Sequence, residues 1–358
     1  VGGRNTIRRS VALIACLIAV LFSEPILSVS AQERPPDLNI TSVEDGAISK
    51  EFHVPSYEWF PADKPPVGLI LAVHGLTLHA KRYEVLGKAF AASGFYACAC
   101  DMRGFGRCYT DKQHNFCVGN DCKRKVDFQK SYLDLVQVAA RMKKDHPSLP
   151  LFALGESMGT SLCIKLAADH PDLVDGLILS GPTVKVHPLM FFHPSNIMAG
   201  AIAIFIDPKF NVKMTGFVKN LVSNDPNIIK EMLDDPLCRK NLTVAELLNA
   251  GKFAGSTLSN AKRIKEDEHI LVIQDSQDLC MVPHAVTSLS KRIHSSDQTI
   301  RWFHAHGHLL LETAYLKPAT VEALSNWVEQ HDAAHEAFAK SIQNEILLFG
   351  AKRSGDAE

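Results

Sequence analysis

The sequence predicts an α/β fold: a mostly parallel central sheet with helices on both faces and a helical cap inserted late in the chain. Three observations carry it. Short apolar runs recur with amphipathic helical stretches between them. One such run is followed directly by a serine between two glycines, Gly155-Glu156-Ser157-Met158-Gly159. After Gly181-Pro182 the alternation stops for about eighty residues and then resumes near residue 270.

Residues 1–31 read as a secretory signal peptide or, alternatively, an N-terminal anchor. Arg4, Arg8 and Arg9 precede an apolar run at 11–22, then come Pro25 and the small-residue site Val29-Ser30-Ala31 before a polar stretch. That is the order of an export signal. The run is short for a spanning helix, which needs about twenty residues. Export, secreted or periplasmic, is therefore the first expectation, with membrane anchoring as its alternative. Leu13-Ile14-Ala15-Cys16 loosely resembles a lipobox, but the apolar run continues past the cysteine.

The remainder, 32–358, reads as one catalytic domain with a cap insertion at about 183–265. From about residue 48 two edge strands are expected, then strands at 67–73, 95–100, 151–154 and 176–179, with helices at 83–93, 127–144 and 158–170 between or after them. In the insertion, helical patterns lie near 227–233 and 244–253, and the apolar run 197–206 is a candidate acyl-pocket lining or lipid contact, or simply core. A structureless loop of this length would be unusual in a compact domain. Strands resume at 270–273 and 299–303. The tail from residue 351 reads as a solvated end.

With 46% apolar and 22% charged residues the chain can bury one large core, and its formal net charge of -1 gives no field to attract nucleic acid. Cys117 and Cys122 share a polar loop that an exported chain could oxidise, or they are free thiols; His114 alone beside them makes a zinc site a poor reading. Cys98, Cys100 and Cys163 sit in apolar patterns and read as small buried side chains.

The serine motif carries the chemistry. An apolar strand ending in Gly-x-Ser-x-Gly before a helical run forces a sharp turn that exposes the hydroxyl, so Ser157 is the expected nucleophile. It needs a base, and the base needs a carboxylate. The loop after 270–273 offers Asp275 and Asp278; Asp278 lies deeper in it and is favoured, leaving Asp275 as a turn residue. After 299–303 come His304, His306 and His308, and His308, with Gly307 before it and an apolar run after it, is the expected base. His304 and His306 read as local hydrogen-bonding histidines. The oxyanion donors expected are the amides of Met158, at a helix start, and Leu76, in the turn after the first central strand. Substrate-pocket candidates are His74, Arg82 and Glu156, with a structural hydrogen bond to the loop as the other reading of His74.

Four segments resemble the monoacylglycerol lipase and lysophospholipase-like alpha/beta-hydrolases, also labelled serine aminopeptidase S33. They are His74-Gly75-Leu76-Thr77-Leu78-His79-Ala80-Lys81-Arg82-Tyr83, Asp101-Met102-Arg103-Gly104-Phe105-Gly106-Arg107, the Gly155 to Gly159 motif, and Asp235-Pro236-Leu237. The resemblance runs over about 67–328. It implies an alpha/beta-hydrolase fold with Ser157, Asp278 and His308 as the triad and no metal or organic cofactor. Departures bear on substrate: Leu78 stands where those lipases carry an acidic residue, Met232 where they carry tyrosine, and Cys108 where serine is usual; the Cys108 to Cys122 loop is also longer. The expectation is a serine hydrolase of small-molecule or lipid esters, lysophospholipids or monoacylglycerols, with peripheral membrane contact through the cap. The alternatives are an S33-type amidase or peptidase, or a hydrolase-fold binding protein without catalysis.

Overall fold

The computed structural model describes residues 40–113, 115–116, 123–188 and 207–331. Eight strands form one sheet: β1 (Ile40–Glu44), β2 (Ser56–Pro61), β3 (Leu69–Val73), β4 (Tyr96–Cys100), β5 (Leu151–Glu156), β6 (Gly176–Ser180), β9 (His269–Asp275) and β10 (Gln298–Phe303). Their spatial order is β1-β2-β4-β3-β5-β6-β9-β10. β1 and β2 pair antiparallel, as do β2 and β4, and every later pairing is parallel. Ligands therefore gather where the parallel strands end, at their carboxyl edge.

The sequence alternates because both faces of the sheet are covered. Leu69, Leu71 and Val73 of β3 enter one buried cluster with the helices Phe128–Asp145 and Met158–Asp169. Ile70 and Ala72 point the other way, into a cluster with Leu86 and Phe90 of the helix Glu84–Ala92 and Leu324, Trp327 and Val328 of the helix Pro318–Gln330. That is the two-residue period of a strand with two dry faces. The helix Phe128–Asp145 buries Phe128, Tyr132, Leu135, Val138, Ala139 and Met142, a stripe at helical spacing, and starts on Asp127, whose carboxylate accepts the Lys130 amide at 2.9 Å.

Two expectations change. Residue 48 does not open a strand: it lies in the short helix Ala47–Phe52 between β1 and β2, where Ile48 and Ser49 are buried. The cap also contains strands, β7 (Asn211–Lys213) and β8 (Asn241–Thr243), paired antiparallel. Three residues each are too few to make a visible alternation. The cap helices Pro226–Asp234 and Val244–Ala254 lie where their periodicity predicts, the second closed by a capping box between Thr243 and Glu246.

The cap is seated on the sheet by an apolar cluster that joins Val218, Leu221, Val222, Ile228 and Met232 to Leu78, Met281 and Leu309. Cys98 and Cys163 are fully buried free thiols and Cys100 is half-buried. Among the described residues no helix is long and apolar enough to cross a membrane. The N-terminal segment, the Cys117–Cys122 loop, the run 197–206 and the chain's tail lie outside the described residues.

Candidate active site

β5 turns into the helix Met158–Asp169 at Ser157, whose backbone sits at φ 52° and ψ -117°. A non-glycine residue there costs about 1–3 kcal/mol and persists only where its surroundings enforce it. The neighbours do enforce it. A Cβ on Gly155 would lie 2.5 Å from the Gly159 carbonyl carbon, and one on Gly159 would lie 2.0 Å from the Val73 carbonyl oxygen. Strand, helix and β3 thus approach to a distance that only glycine permits. Ser157 donates its amide to Ser180 at the end of β6, 2.8 Å away, and its side chain is half-buried.

Asp278 and His308 come from the loops after β9 and β10, and His308 Nδ1 lies 2.8 Å from Asp278 Oδ2. A carboxylate only accepts, so Nδ1 holds the proton and Nε2 is the nitrogen left to accept one. The same Oδ2 accepts Gln274 Nε2 at 2.9 Å, while Oδ1 accepts the amides of Cys280 and Met281 at 2.7 and 2.9 Å. The imidazole lies against Gly181: a Cβ there would be 3.0 Å from His308 Cε1 and Nδ1. The end of β6 is therefore the shared neighbour of serine and histidine. From the cap, Val222 accepts the amides of His308 and Leu309 at 2.9 and 3.0 Å. Gly307, at φ +87°, lets the chain pass Ser223, where a Cβ would come within 2.8 Å of the Ser223 Cα.

Burial and charge oppose each other in this pair. Burial pushes the Asp278 carboxyl up, but the His308 charge and hydrogen bond, with the Met281 amide and Gln274, outweigh it and hold Asp278 below the usual range. Burial likewise pushes the His308 ring down, and Asp278, aided by Glu156, carries it above its ordinary value. The arrangement favours a base that becomes imidazolium beside a permanent carboxylate.

Asp275 is buried but does different work: it accepts the Gln277 amide at 2.7 Å and the His306 amide at 2.9 Å, tying the β9 and β10 loops together. His304 is exposed and bonds Ser276 at 2.9 Å, and His306 bonds the His304 carbonyl at 2.7 Å. Neither ring bonds Asp278.

Met158 opens its helix, and Leu76 lies in the turn after β3, where Thr77 adopts φ 70°. Among the described residues neither amide donates to a protein acceptor. Preformed N–H donors of this kind, at a helix start and in a turn after a central strand, are the type of group that stabilises an oxyanion.

The three pocket candidates belong to the scaffold, as the structural reading of His74 expects and contrary to expectation for Arg82 and Glu156. His74 is fully buried: Nδ1 donates to the Gly75 carbonyl at 2.8 Å, Nε2 accepts the Met102 amide at 2.9 Å, and burial pushes the ring down to about 3, so it stays neutral. Arg82 donates to the Glu312 carbonyl at 2.9 Å and to Glu231 at 3.1 Å, joining the loop after His308 to a cap helix. Glu156 has no accessible surface and accepts from Ser180 Oγ at 2.6 Å and from the amides of Leu310, Leu311 and Glu312 at 2.8, 3.0 and 2.9 Å. Each side chain is spent on protein partners, which removes it from substrate contact.

Glu312 went unnoticed in the sequence. Its Oε1 accepts the Gly75 amide at 2.6 Å, next to the Leu76 turn, and Oε2 is buried without a partner among the described residues. Burial, reinforced by the Glu156 charge, pushes its carboxyl far up, and burial raises Glu156 as well, against the hydroxyl and amide bonds that pull it down. A lone acid after Leu309-Leu310-Leu311 was the available signal. Asp278, Cys280 and His308 could also group around a metal ion, each with a donor atom within 4.8 Å of the others, but the acid–base bond and a thiol bond from Cys280 to the Leu221 carbonyl at 3.2 Å already use those atoms.

Comparison with known proteins places the chain in a family. The family model of serine aminopeptidase, S33, matches residues 64–313. The monoacylglycerol lipase of Mycolicibacterium smegmatis is 23% identical over 275 residues, 77% of this chain and 92% of that protein. Human monoglyceride lipase is 27% identical over 282 residues, 77% of this chain and 86% of its own. Among solved structures, a soluble variant of Saccharomyces cerevisiae monoglyceride lipase in complex with a substrate analog superposes with a TM-score of 0.65 at 19% identity, covering 84% of this chain and 97% of that one. The Paleococcus ferrophilus monoacylglycerol lipase superposes at 0.60 with 21% identity, covering 78% and 99%. At such identities the structural likeness speaks for the fold.

Proposed function

The chain belongs to the serine aminopeptidase S33 family of alpha/beta-hydrolases, and on that premise we propose that it cleaves lipid carboxylic esters, monoacylglycerols or lysophospholipids, with Ser157, Asp278 and His308 as its catalytic triad. It is a serine hydrolase of the lipase type, acting on small-molecule lipid esters. The observation that carries the residue assignment is the buried 2.8 Å His308–Asp278 bond beside Gly181, at the strand end to which the strained Ser157 is also tied.

In this reading Ser157 Oγ attacks the ester carbonyl as His308 Nε2 takes its proton, and Asp278 stabilises the imidazolium. The carbonyl oxygen becomes the oxyanion received by the amides of Leu76 and Met158. On collapse, the bond to the alcohol breaks and His308 returns the proton to the departing alkoxide, leaving an acyl-serine. Water, deprotonated by the same nitrogen, repeats the sequence and releases the fatty acid.

Names of relatives support a monoacylglycerol substrate, and one relative matched over only 46% of this chain is named a phospholipase, from Bacillus subtilis. Export through residues 1–31 and lipid-surface contact through the cap belong to the same proposal. Labelling by a fluorophosphonate probe tests the nucleophile: wild type should react stoichiometrically, and Ser157→Ala should be silent and lose ester turnover by about a million-fold while keeping its fold. Near-normal turnover in the probe-silent variant would overturn the assignment.

A further inference from the structure

We propose that His269, Asp297 and His331 form a surface site for a divalent transition-metal ion of the imidazole-binding class, zinc in particular. The three come from separate elements: the first residue of β9, the residue before β10, and the end of the helix Pro318–Gln330. They lie at the amino ends of the strands, opposite the edge that holds Ser157. Each is half-buried, and their donor atoms all lie within 4.8 Å of one another.

Proton placement is the argument. His331 Nδ1 lies 2.7 Å from the Trp327 carbonyl oxygen, which only accepts, so Nδ1 carries the proton. In the neutral ring the lone pair is then on Nε2, 3.1 Å from Asp297 Oδ2. A lone pair facing a carboxylate oxygen is repulsive unless a cation lies between them. His269 Nδ1 meets the same oxygen at 2.6 Å, and the two imidazole centroids are 4.6 Å apart. A neutral His269 can donate its Nδ1–H to that oxygen, so the unrelieved contact is the one at His331, and a divalent ion shared by the three groups relieves it with both rings neutral.

Orientation agrees. A metal-bound histidine typically donates its other N–H to a carbonyl, which fixes the tautomer and the ring plane; the Trp327 carbonyl does this for His331. Two imidazoles and one carboxylate suit zinc-class ions, with water in the fourth position. Tetrahedral zinc at about 2.0–2.1 Å from each ligand sets its ligands about 3.3 Å apart. To reach that spacing the present 2.6 and 3.1 Å contacts need to open by about 0.7 and about 0.2 Å, within the reach of side-chain rotation at half-buried residues. The rival cluster His79, Asp235 and Cys238 already has its cation, since Arg82 Nη1 lies 3.8 Å from Asp235 Oδ2. An ion held by His269, Asp297 and His331 would staple the last described helix to the floor of the sheet, acting on stability.

Calorimetric titration of the chelator-treated full chain with zinc chloride tests this. One saturable equivalent is expected, with a melting temperature raised by several degrees. Affinity should fall at least about tenfold in His331→Gln and in Asp297→Asn, and hold in His79→Gln. X-ray absorption of the zinc-loaded wild type should show nitrogen and oxygen ligands, a readout independent of how the variants fold. Absence of a saturable equivalent, undiminished binding in a folded His331→Gln protein, or sulfur in the zinc shell would overturn the proposal.

Discussion

The Leu310 amide donates to Glu156 Oε1 at 2.8 Å, so the residue before the proposed nucleophile holds the chain two residues beyond the proposed base. Leu311 and Glu312 add their amides to the same carboxylate. Replacing it with an amide turns half of the acceptor into a donor facing N–H groups. Glu156→Gln should therefore lower kcat by at least about tenfold with little change in KM and destabilise the fold by about 1–3 kcal/mol. Steady-state kinetics beside denaturant unfolding would check it, and a variant with wild-type kcat would remove Glu156 from positioning His308.

Asp278 and Asp275 are both buried acids three residues apart, and only Asp278 touches His308. Asp278→Asn should cost about ten-thousand-fold in kcat, because the amide favours the wrong histidine tautomer. Asp275→Asn should act mainly on stability by loosening the β9 and β10 loops. The pH profile separates the two. Asp278 raises the His308 ring above its ordinary value, so the wild-type acid limb should lie above the usual histidine range, with activity lost as pH falls through it. In Asp278→Asn the residual activity should have its acid limb at lower pH, whereas Asp275→Asn should keep the wild-type limb.

Glu268, just before β9, has no accessible surface, and among the described residues neither oxygen has a partner within hydrogen-bond distance, with Lys265 Nζ 3.7 Å from Oε2. Burial pushes its carboxyl up to about 8 against a partial pull from Lys265. The folded protein thus keeps a proton that the unfolded chain releases near 4.5. Stability contributed by the neutral acid is fully present below that value and falls as pH rises through the window up to about 8. Unfolding midpoints across this range should decline by the equivalent of a few kcal/mol. Glu268→Gln should flatten the decline and be the more stable protein at the alkaline end; an unchanged slope would exclude Glu268 as its source.

What the sequence disclosed and what it hid divide by distance along the chain. Ser157 between its glycines, the acids after β9 and the histidines after β10 are local patterns at strand ends, because the chemistry needs each on a tight loop. Glu156 and Arg82 looked like pocket groups for the same reason, that they neighbour the motifs, whereas the structural reading of His74 holds. The partners of Glu156 and Arg82 lie far away, Leu310 on the loop beyond His308 and Glu231 on a cap helix, and no local spacing encodes such pairings. The Glu312 bond to Gly75 spans 237 residues and was invisible on that account. Strand β1 and the β7–β8 ribbon were missed because pairing with a neighbour defines them more than composition does.

Leu78 and Met232 meet in the apolar cluster that seats the cap, alongside Met281 and Leu309 of the two catalytic loops. With apolar side chains at positions where similar lipases carry an acid and a tyrosine, and with Arg82 engaged by Glu312 and Glu231, few polar groups remain to recognise a glycerol head. Discrimination should then come from the acyl chain. Each buried methylene contributes about 0.8 kcal/mol and a tenfold preference requires about 1.4 kcal/mol, so two added methylenes suffice for roughly one order of magnitude. Octanoyl esters should exceed acetyl esters in kcat/KM by at least about a hundredfold, while exchanging glycerol for a simple alkanol should change it by less than about tenfold. Parallel kcat/KM measurements on p-nitrophenyl acetate, p-nitrophenyl octanoate, monooctanoylglycerol and an alkyl octanoate would decide it. Preference for acetyl esters would contradict a chain-length pocket, and strict dependence on glycerol would mean that a polar recognition group lies outside the residues described.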